Sequence, residues 1–333
     1  MNTYRAFRLF ALIAIFSAFS AESLASIKLH YAGIAYMGNY SAKDALYKYS
    51  SRLIDNDDRN FQQVLLEKLA GVSNESFDII IGGQPVDYKN DDALIMAFAL
   101  EHENVSMEKI DGVYKFDVDI RANILVFDYN EMKIVSSYPI AVQLRDAAET
   151  RPTDSYLEDV VRELYFTEKY KINIFDEFVS RLSSLTLKES FANTIKVSAV
   201  TISSESKSSI PGIDEPRAEE DYKAFVAQMF STYLSKNQNV SVLPYTKGHA
   251  IGNRMALQVA NGDVYSLSIP DETYSIELEL IKLKKAQLGE NKYKSVWGYA
   301  SYFDVKLLIP GVEDVLVNAK FRSIVKKSIS HKS

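Results

Sequence analysis

Cysteine is absent from this chain of 333 residues. Disulfide bonds, thiolate metal sites and cysteine nucleophiles are therefore excluded. We also expect no lipid-modified amino terminus, because that modification requires a cysteine at the cleavage point. Histidine and tryptophan are scarce too, with four residues and one residue in the whole chain.

The four histidines do not form a pattern that indicates a metal site. They are His30, His102, His249 and His331. Glu101-His102-Glu103 has suitable residue types, but strand alternation predicts that His102 faces away from both glutamates. The sequence also lacks a phosphate loop, a dinucleotide fingerprint and a nucleophile elbow. We predict no enzymatic activity, no metal and no cofactor. A hydrolase is the alternative, and it would need a carboxylate pair from distant segments.

An excess of basic residues is missing as well. The formal net charge is −6, which argues against a general nucleic-acid binder. Hydrophobic residues make up 47% and charged residues 25%, a composition typical of globular proteins. The 21 tyrosines and 17 phenylalanines favour strands over helical bundles, and the length allows two domains.

Residues 1–25 have the pattern of a secretory signal peptide. Arg5 and Arg8 precede the apolar run LFALIAIFSAF at 9–19. That run is shorter than the roughly 20 apolar residues that span a bilayer. Ser23 and Ala25 supply the small residues before a cleavage site, so we predict cleavage after Ala25, with an uncleaved anchor as the alternative. Secretion of a cysteine-free chain predicts a periplasmic location.

Two stretches of the sequence are alike. Residues 91–100 are DDALIMAFAL, and residues 271–280 are DETYSIELEL. In both, acidic residues precede apolar side chains at every second position, which is typical of a strand with one buried face. The apolar positions correspond at an offset of 180: Leu94, Met96, Phe98 and Leu100 match Tyr274, Ile276, Leu278 and Leu280. Similar elements surround each stretch, which indicates two copies of one module.

Each predicted module has a strand, a helical segment, a second strand and a three-stranded meander. In module one these are strands at 27–38, 77–81, 93–104, 114–126 and 133–144, with helices at 42–53 and 61–69. In module two they are strands at 195–203, 239–245, 274–280, 297–309 and 315–321, with a helix at 222–234. Two helices at 156–165 and 174–185, capped by Asp154 and Asn173, form a hairpin between the modules.

The predicted fold class is therefore α+β, with two tandem strand-helix-strand-meander modules built on mainly antiparallel sheets. The predicted organisation is a signal peptide at 1–25, module one at 26–147, a helical hairpin connector at 148–190, and module two with a basic tail at 191–333. We expect Phe98 and Phe116 on the buried face of the first sheet, and Leu278 and Trp297 on that of the second.

This order of elements resembles small modules of bacterial envelope proteins: the amino-terminal domain of TolB, the curli-secretion protein CsgG and flagellar assembly protein T. The segments that carry the resemblance are FDIII (77–81), ALIMAFAL (93–100), IRANILVFDYNEMKIVSSY (120–138), NVSVLPYT (239–246), YSIELEL (274–280) and YFDVKLLIPGVEDVLVNAKF (302–321). Residues 32–46 are similar in style to the start of flagellar assembly protein T; their sequence is AGIAYMGNYSAKDAL. Residues 247–270 depart from the pattern, because such modules usually have a helix there. The resemblance implies an assembly or interaction role, not a reaction.

The predicted function is a non-enzymatic periplasmic interaction or assembly protein that docks onto a flagellar, secretion or Tol-like envelope machine. Its expected partner is an envelope or secreted protein. We place the partner site on module two, where apolar and basic side chains occur together. The predicted partner-binding residues are Lys282, Lys284, Lys285, His249, Arg254 and Tyr302. The alternative is a periplasmic peptide- or glycan-binding module with an inter-module cleft lined by tyrosines and Trp297.

The carboxyl-terminal end is basic, and we interpret it as a solvated, frayed tail. Its basic residues are Lys320, Arg322, Lys326, Lys327 and Lys332. Binding to an acidic partner, or peripheral contact with anionic lipid of the outer membrane, is the alternative.

Overall fold

The computed structural model describes residues 27–38, 43–56, 61–82, 93–110, 112–167, 169–187, 193–245, 254–259, 262–291, 294–312 and 315–330. The predicted signal peptide lies outside these residues. Among the helices within the described ranges, none is both long enough and apolar enough to cross a membrane.

Module one contains a sheet with helices on one face, followed by the helical hairpin. Its strands are β1 (Ile27–Met37), β2 (Phe77–Ile80), β3 (Leu94–Ile110), β4 (Val113–Asp128) and β5 (Lys133–Ala148). Its helices are α1 (Lys43–Leu46), α2 (Lys48–Asp55), α3 (Phe61–Leu69), α4 (Asp154–Phe166) and α5 (Ile174–Ser184). Because the strands of the meander alternate apolar and polar side chains over long runs, each extends beyond its predicted end.

Module two begins with β6 (Ile195–Ile202), the short helix α6 (Ser204–Lys207) and the long helix α7 (Ala218–Gln238). The strands that follow are β7 (Val242–Leu243), β8 (Arg254–Val259), β9 (Val264–Ser268), β10 (Tyr274–Glu290), β11 (Lys294–Leu308) and β12 (Val315–Ser330). The α+β fold class is confirmed. The last strand, predicted at 315–321, continues to Ser330, so the residues up to 330 that were predicted as a frayed tail belong to the second sheet.

The strands of the two modules follow the same order in their sheets. The first runs β2-β1-β3-β4-β5 and the second runs β7-β6-β10-β11-β12. In both, the first three strands are parallel and the meander is antiparallel. β3 spans 94–110 and β10 spans 274–290, so both ends differ by the offset of 180 found in the sequence.

Irregularities in strand pairing also correspond between the sheets. A β-bulge inserts one extra residue into a strand and reverses the faces of the residues beyond it. Each sheet has a bulge in its first strand, one within the first long strand of the meander and one near the start of its last strand, and β10 has a further bulge at Leu288 without a counterpart in β3. The corresponding bulged residues are Ala32, Glu101 and Val135 in module one, and Ser198, Ile281 and Leu316 in module two.

Residues 254–268 correct the division predicted from the sequence. They lie within predicted module two, yet β8 pairs with β1 and β9 pairs with β5, which adds both strands to the first sheet. Their apolar side chains cover the sheet face opposite the helices, where they bury Ala97, Leu125 and Phe127. Small residues such as Ala97 allow β8 and β9 to approach this sheet face closely. The strands were not predicted because the apolar periodicity of residues 247–270 is too weak.

The helices show two further differences from the sequence prediction. Thr153, not Asp154, caps α4, because its side chain accepts a hydrogen bond from the Tyr156 amide. The helix predicted at 42–53 is interrupted at Tyr47, whose buried hydroxyl donates to the carbonyl of Met37 at 2.8 Å. Asn173 caps α5 as predicted. The first difference rests on an exposed cap contact of Thr153, and the second on a buried hydrogen bond of Tyr47.

Three of the four predicted core residues are buried. Phe98, Phe116 and Leu278 are 0%, 1% and 2% exposed. Phe98 makes edge contacts with two aromatic rings of α5, at 5.3 Å from Phe175 and 5.2 Å from Phe178. Trp297 is only half-buried, so the prediction is wrong for that residue. Trp297 lies in the part of the meander that extends beyond the last residue pair between β6 and β10.

Candidate functional site

The long strands of module two continue past the rest of their sheet. β6 ends at Ile202, which pairs with Leu280, whereas β10 continues to Glu290. Residues 281–290, 294–302 and 322–330 therefore form a three-stranded extension, which we call the ribbon. The helix α7 packs beside β6 and the core around Leu278, while Leu283 of the ribbon packs against a small cluster at the end of β6.

The bulge at Ile281 decides which side chains share a ribbon face. Beyond it, Lys282 pairs with Tyr302, and Tyr302 pairs with Arg322, on the face opposite Leu280. The Lys284 ammonium lies 5.8 Å from the Tyr302 ring centre, a cation–π contact on the same face. Lys282 forms an ion pair with Glu205 of α6. We call this surface the basic face.

Lys285 lies on the opposite ribbon face. Its ammonium is 4.7 Å from the Trp297 ring centre and 5.6 Å from the Tyr299 ring centre. Lys285 and Tyr299 border a groove of about 340 Å³. The groove is also lined by Ser209, Leu283, Lys284, Ala300, Ser301, Ser323 and Val325. The three lysines predicted to form one surface are thus divided between two faces, because consecutive strand residues alternate.

β12 is the outer strand of the second sheet. It pairs with β11 on one side, and within the described residues no strand pairs with its other side. Phe321 and Val325 are 55% and 56% exposed, and they lie on the face of the groove. Lys320, Arg322 and Lys326 are exposed on the basic face, with Ile324 among them. The sequence predicted a strand only as far as residue 321 and a frayed tail beyond it, whereas the strand continues to Ser330.

The structure describes one of the two remaining predicted partner residues, Arg254. Arg254 begins β8, which belongs to the seven-stranded first sheet. The ribbon lysines belong to the five-stranded second sheet. Arg254 is therefore paired into a different sheet from the ribbon lysines. His249 lies outside the described residues.

The junction between the modules is well packed and partly polar. The Arg181 guanidinium of α5 is buried and donates to the Ser235 carbonyl at 2.5 Å and to Asn239 Oδ1 at 2.8 Å. Burial lowers the pKa of Arg181 below its ordinary value. At the edge of β5, the Ser137 amide donates to Ser241 Oγ at 3.0 Å. Gln228, Ser231 and Ser235 form a buried stripe along α7, while Tyr233, predicted on its apolar stripe, is 63% exposed.

A groove of about 690 Å³ lies at this junction, between β5, α5 and the end of α7. Its lining combines charged and amide side chains, those of Lys171, Asn173, Asp176, Glu177 and Lys236, with apolar residues such as Val142 and Ile172. No tyrosine or tryptophan belongs to that lining as the described residues define it. The aromatic cleft expected for a glycan or peptide site is therefore not found at this position.

The acidic residues around His102 are arranged differently from the sequence prediction. The bulge at Glu101 places Glu101 and Glu103 on opposite faces of the sheet, so His102 does not face away from both. Glu101 accepts a hydrogen bond from Asn123 at 2.9 Å. Glu103 accepts from the backbone amides of Tyr49 and Ser50 at 2.8 and 2.7 Å, which caps α2.

Burial raises the pKa of the Glu103 carboxyl above its ordinary value, while the two amide donors oppose this shift. Glu103 therefore has a structural role, because both of its carboxylate oxygens accept hydrogen bonds from backbone amides at the start of a helix. Within the described residues, no group of three or more His, Asp or Glu side chains is arranged to hold a metal ion.

Comparisons with known proteins give little further information. No family model matches the chain, and no curated protein matches it. Among solved structures, the chain is similar to a minor lipoprotein from Acinetobacter baumannii, with a TM-score of 0.25 and 10% identity. The match covers 50% of this chain and 96% of that chain. A TM-score this low supports no conclusion about the fold or function of this chain.

Proposed function

We propose that this chain is a non-enzymatic periplasmic interaction protein that docks onto a cell-envelope assembly through the ribbon of module two. The observation that carries the proposal is the exposed outer strand β12, with apolar side chains on one face and basic side chains on the other. Exposed apolar area of this kind is typical of surfaces that bind another protein. The predicted signal peptide supports the periplasmic location.

The two modules, we further propose, are copies of one duplicated unit. Their common strand order and their corresponding bulges support this, since bulge positions are retained within families. β5 and β12 then occupy equivalent positions in the two copies. β5 is covered by α7 and β7 of the second module, whereas β12 has no such cover among the described residues. In the proposed duplicated structure, the second module thus covers the outer edge of β5, while the equivalent edge of β12 is left available for a partner protein.

The test is capture of crosslinked partners from cells that express charge-reversed variants. Lys282→Glu with Lys284→Glu changes the basic face, and Lys285→Glu changes the opposite face. A matched control is Lys109→Glu, because its ammonium lies 5.2 Å from the Tyr114 ring on the equivalent extension of module one.

We expect recovery of envelope partners to fall in at least one ribbon variant and to be unchanged in the control. Thermal unfolding of each purified variant shows whether the fold is retained. Unchanged recovery in both ribbon variants, with normal folding, would contradict a docking role for the ribbon. The alternative of an aromatic inter-module cleft is less well supported, because the lining of the junction groove, as the described residues define it, contains no tyrosine or tryptophan.

A further inference from the structure

The geometry points to one binding mode: β12 accepts an extended, acidic segment of a partner protein as an added strand. This inference rests on the proposed docking function and specifies the chemistry of the partner. The added strand would pair with the outer backbone groups of β12 and continue the sheet β7-β6-β10-β11-β12 by one strand.

The first argument concerns the backbone of β12. An edge strand presents a row of amide and carbonyl groups that can pair with another chain. β12 spans Val315–Ser330, and within the part of the chain that the structure describes it pairs with β11 only. The equivalent strand β5 shows how such an edge is satisfied elsewhere in this chain. There, Ser241 Oγ accepts from the Ser137 amide at 3.0 Å and lies 3.3 Å from the Ser137 carbonyl oxygen.

The second argument concerns the side chains of β12. Within the strand all four charged residues are basic, and three of these, Lys320, Arg322 and Lys326, share the basic face. Phe321 and Val325 point to the other face, beside the groove next to Lys285. An incoming strand also alternates its side chains between the two faces. The complementary segment therefore has acidic residues at every second position and apolar residues between them, since opposite charges across a strand pair stabilise the pair.

A second copy of this chain fits the edge poorly. Antiparallel pairing of two β12 strands centred on Ser323 places Lys320 directly opposite Lys326 of the other copy. Centring the pair on Arg322 places the two Arg322 side chains opposite each other. Like charges in these positions destabilise a strand pair. The charge pattern thus favours an acidic partner over self-association.

The test uses the full chain and a fluorescent synthetic peptide that alternates glutamate and valine. Control peptides have the same composition with glutamates and valines in separate blocks, or the same alternation with backbone N-methyl groups that prevent strand pairing. Fluorescence anisotropy measures affinity, and hydrogen–deuterium exchange reports protection of residues 315–330. We expect the alternating peptide to bind at least about tenfold more tightly than either control, to slow exchange in β12, and to weaken as salt is raised to about 1 M.

Variants test the charges separately from the fold. Combined Lys320→Glu, Arg322→Glu and Lys326→Glu substitutions should reduce affinity by about tenfold or more, and the corresponding glutamine substitutions should reduce it less. Lys109→Glu should leave affinity unchanged. If the glutamate variant unfolds, the glutamine variant and the N-methylated peptide still test the inference.

Equal binding of the alternating and N-methylated peptides would overturn strand addition. Protection outside β12, a dimer that protects β12 without peptide, or binding of phosphatidylglycerol vesicles in place of the peptide would also overturn it. Failure here differs from failure of the proposed function. If the peptide does not bind but the ribbon variants still lose crosslinked envelope partners in cells, docking stands and strand addition is wrong.

Discussion

The Arg121 guanidinium of β4 lies 5.0 Å from the centre of the Phe225 ring on α7, a cation–π contact that joins the two modules. Arg121 is also paired with Asp119 at 2.8 Å, and both side chains are buried. Neighbouring contacts at Ser137 and Arg181 join the same two modules. The modules are therefore held together by buried polar groups as well as by apolar packing.

Removing Arg121 should be costly because Asp119 would then be buried without its partner. We expect Arg121→Ala to lower the free energy of unfolding by about 3–5 kcal/mol. The double variant Asp119→Ala with Arg121→Ala should lose less than Arg121→Ala, since no charge is left unpaired. Urea denaturation of the three proteins measures these values, and a double variant less stable than Arg121→Ala would contradict the explanation.

Two basic residues at the module junction should differ in their effects on stability. Arg181 is buried and bonds to Ser235 and Asn239, whereas Lys236 forms a largely exposed ion pair with Glu177 at 2.5 Å. We expect Arg181→Ala to cost about 2–4 kcal/mol, because the Ser235 carbonyl loses a charged donor. Lys236→Ala should cost less than about 1 kcal/mol. Similar losses from chemical denaturation of both variants would show that burial is not the deciding factor.

The core of the first sheet should be much more sensitive to truncation than the ribbon. Phe98 is fully buried against Phe175 and Phe178, so Phe98→Ala should cost about 3–5 kcal/mol. Trp297 is half-buried beside Lys285, and Trp297→Ala should cost about 1 kcal/mol or less. The midpoints of guanidinium unfolding measure both, and a larger loss at Trp297 would place it in the core.

Glu103 predicts a particular pH dependence of stability. Burial raises the pKa of its carboxyl above the ordinary 4.5, so the folded state binds this proton more tightly than the unfolded state. The stability contributed in this way is fully present below the ordinary pKa and declines as pH rises through the raised pKa. We therefore expect the free energy of unfolding of the native protein, minus that of Glu103→Gln, to fall across this window. Glu108→Gln, at an exposed position of the same strand, is the matched control. A difference that rises with pH would contradict the direction of the shift.

Local patterns in the sequence determined much of the architecture. Period-two alternation predicted the long strands of both meanders, and helical spacing predicted α3, α4, α5 and α7. The offset of 180 between two stretches predicted that β3 and β10 correspond, and these strands begin and end at that offset. Such features depend on neighbouring residues, so they can be recognised before any tertiary contact is known.

Tertiary structure decided which surfaces these elements present. The bulge at Ile281 placed Lys282 and Lys284 on the face opposite Leu280, and the bulge at Glu101 separated Glu101 from Glu103. Pairing with distant strands drew β8 and β9 into the first sheet, away from the module that surrounds them in sequence. Strand register depends on partners far apart in the chain, and one extra residue reverses every face beyond it. The alternation of residues therefore specified that strands form, while long-range pairing determined where their side chains point.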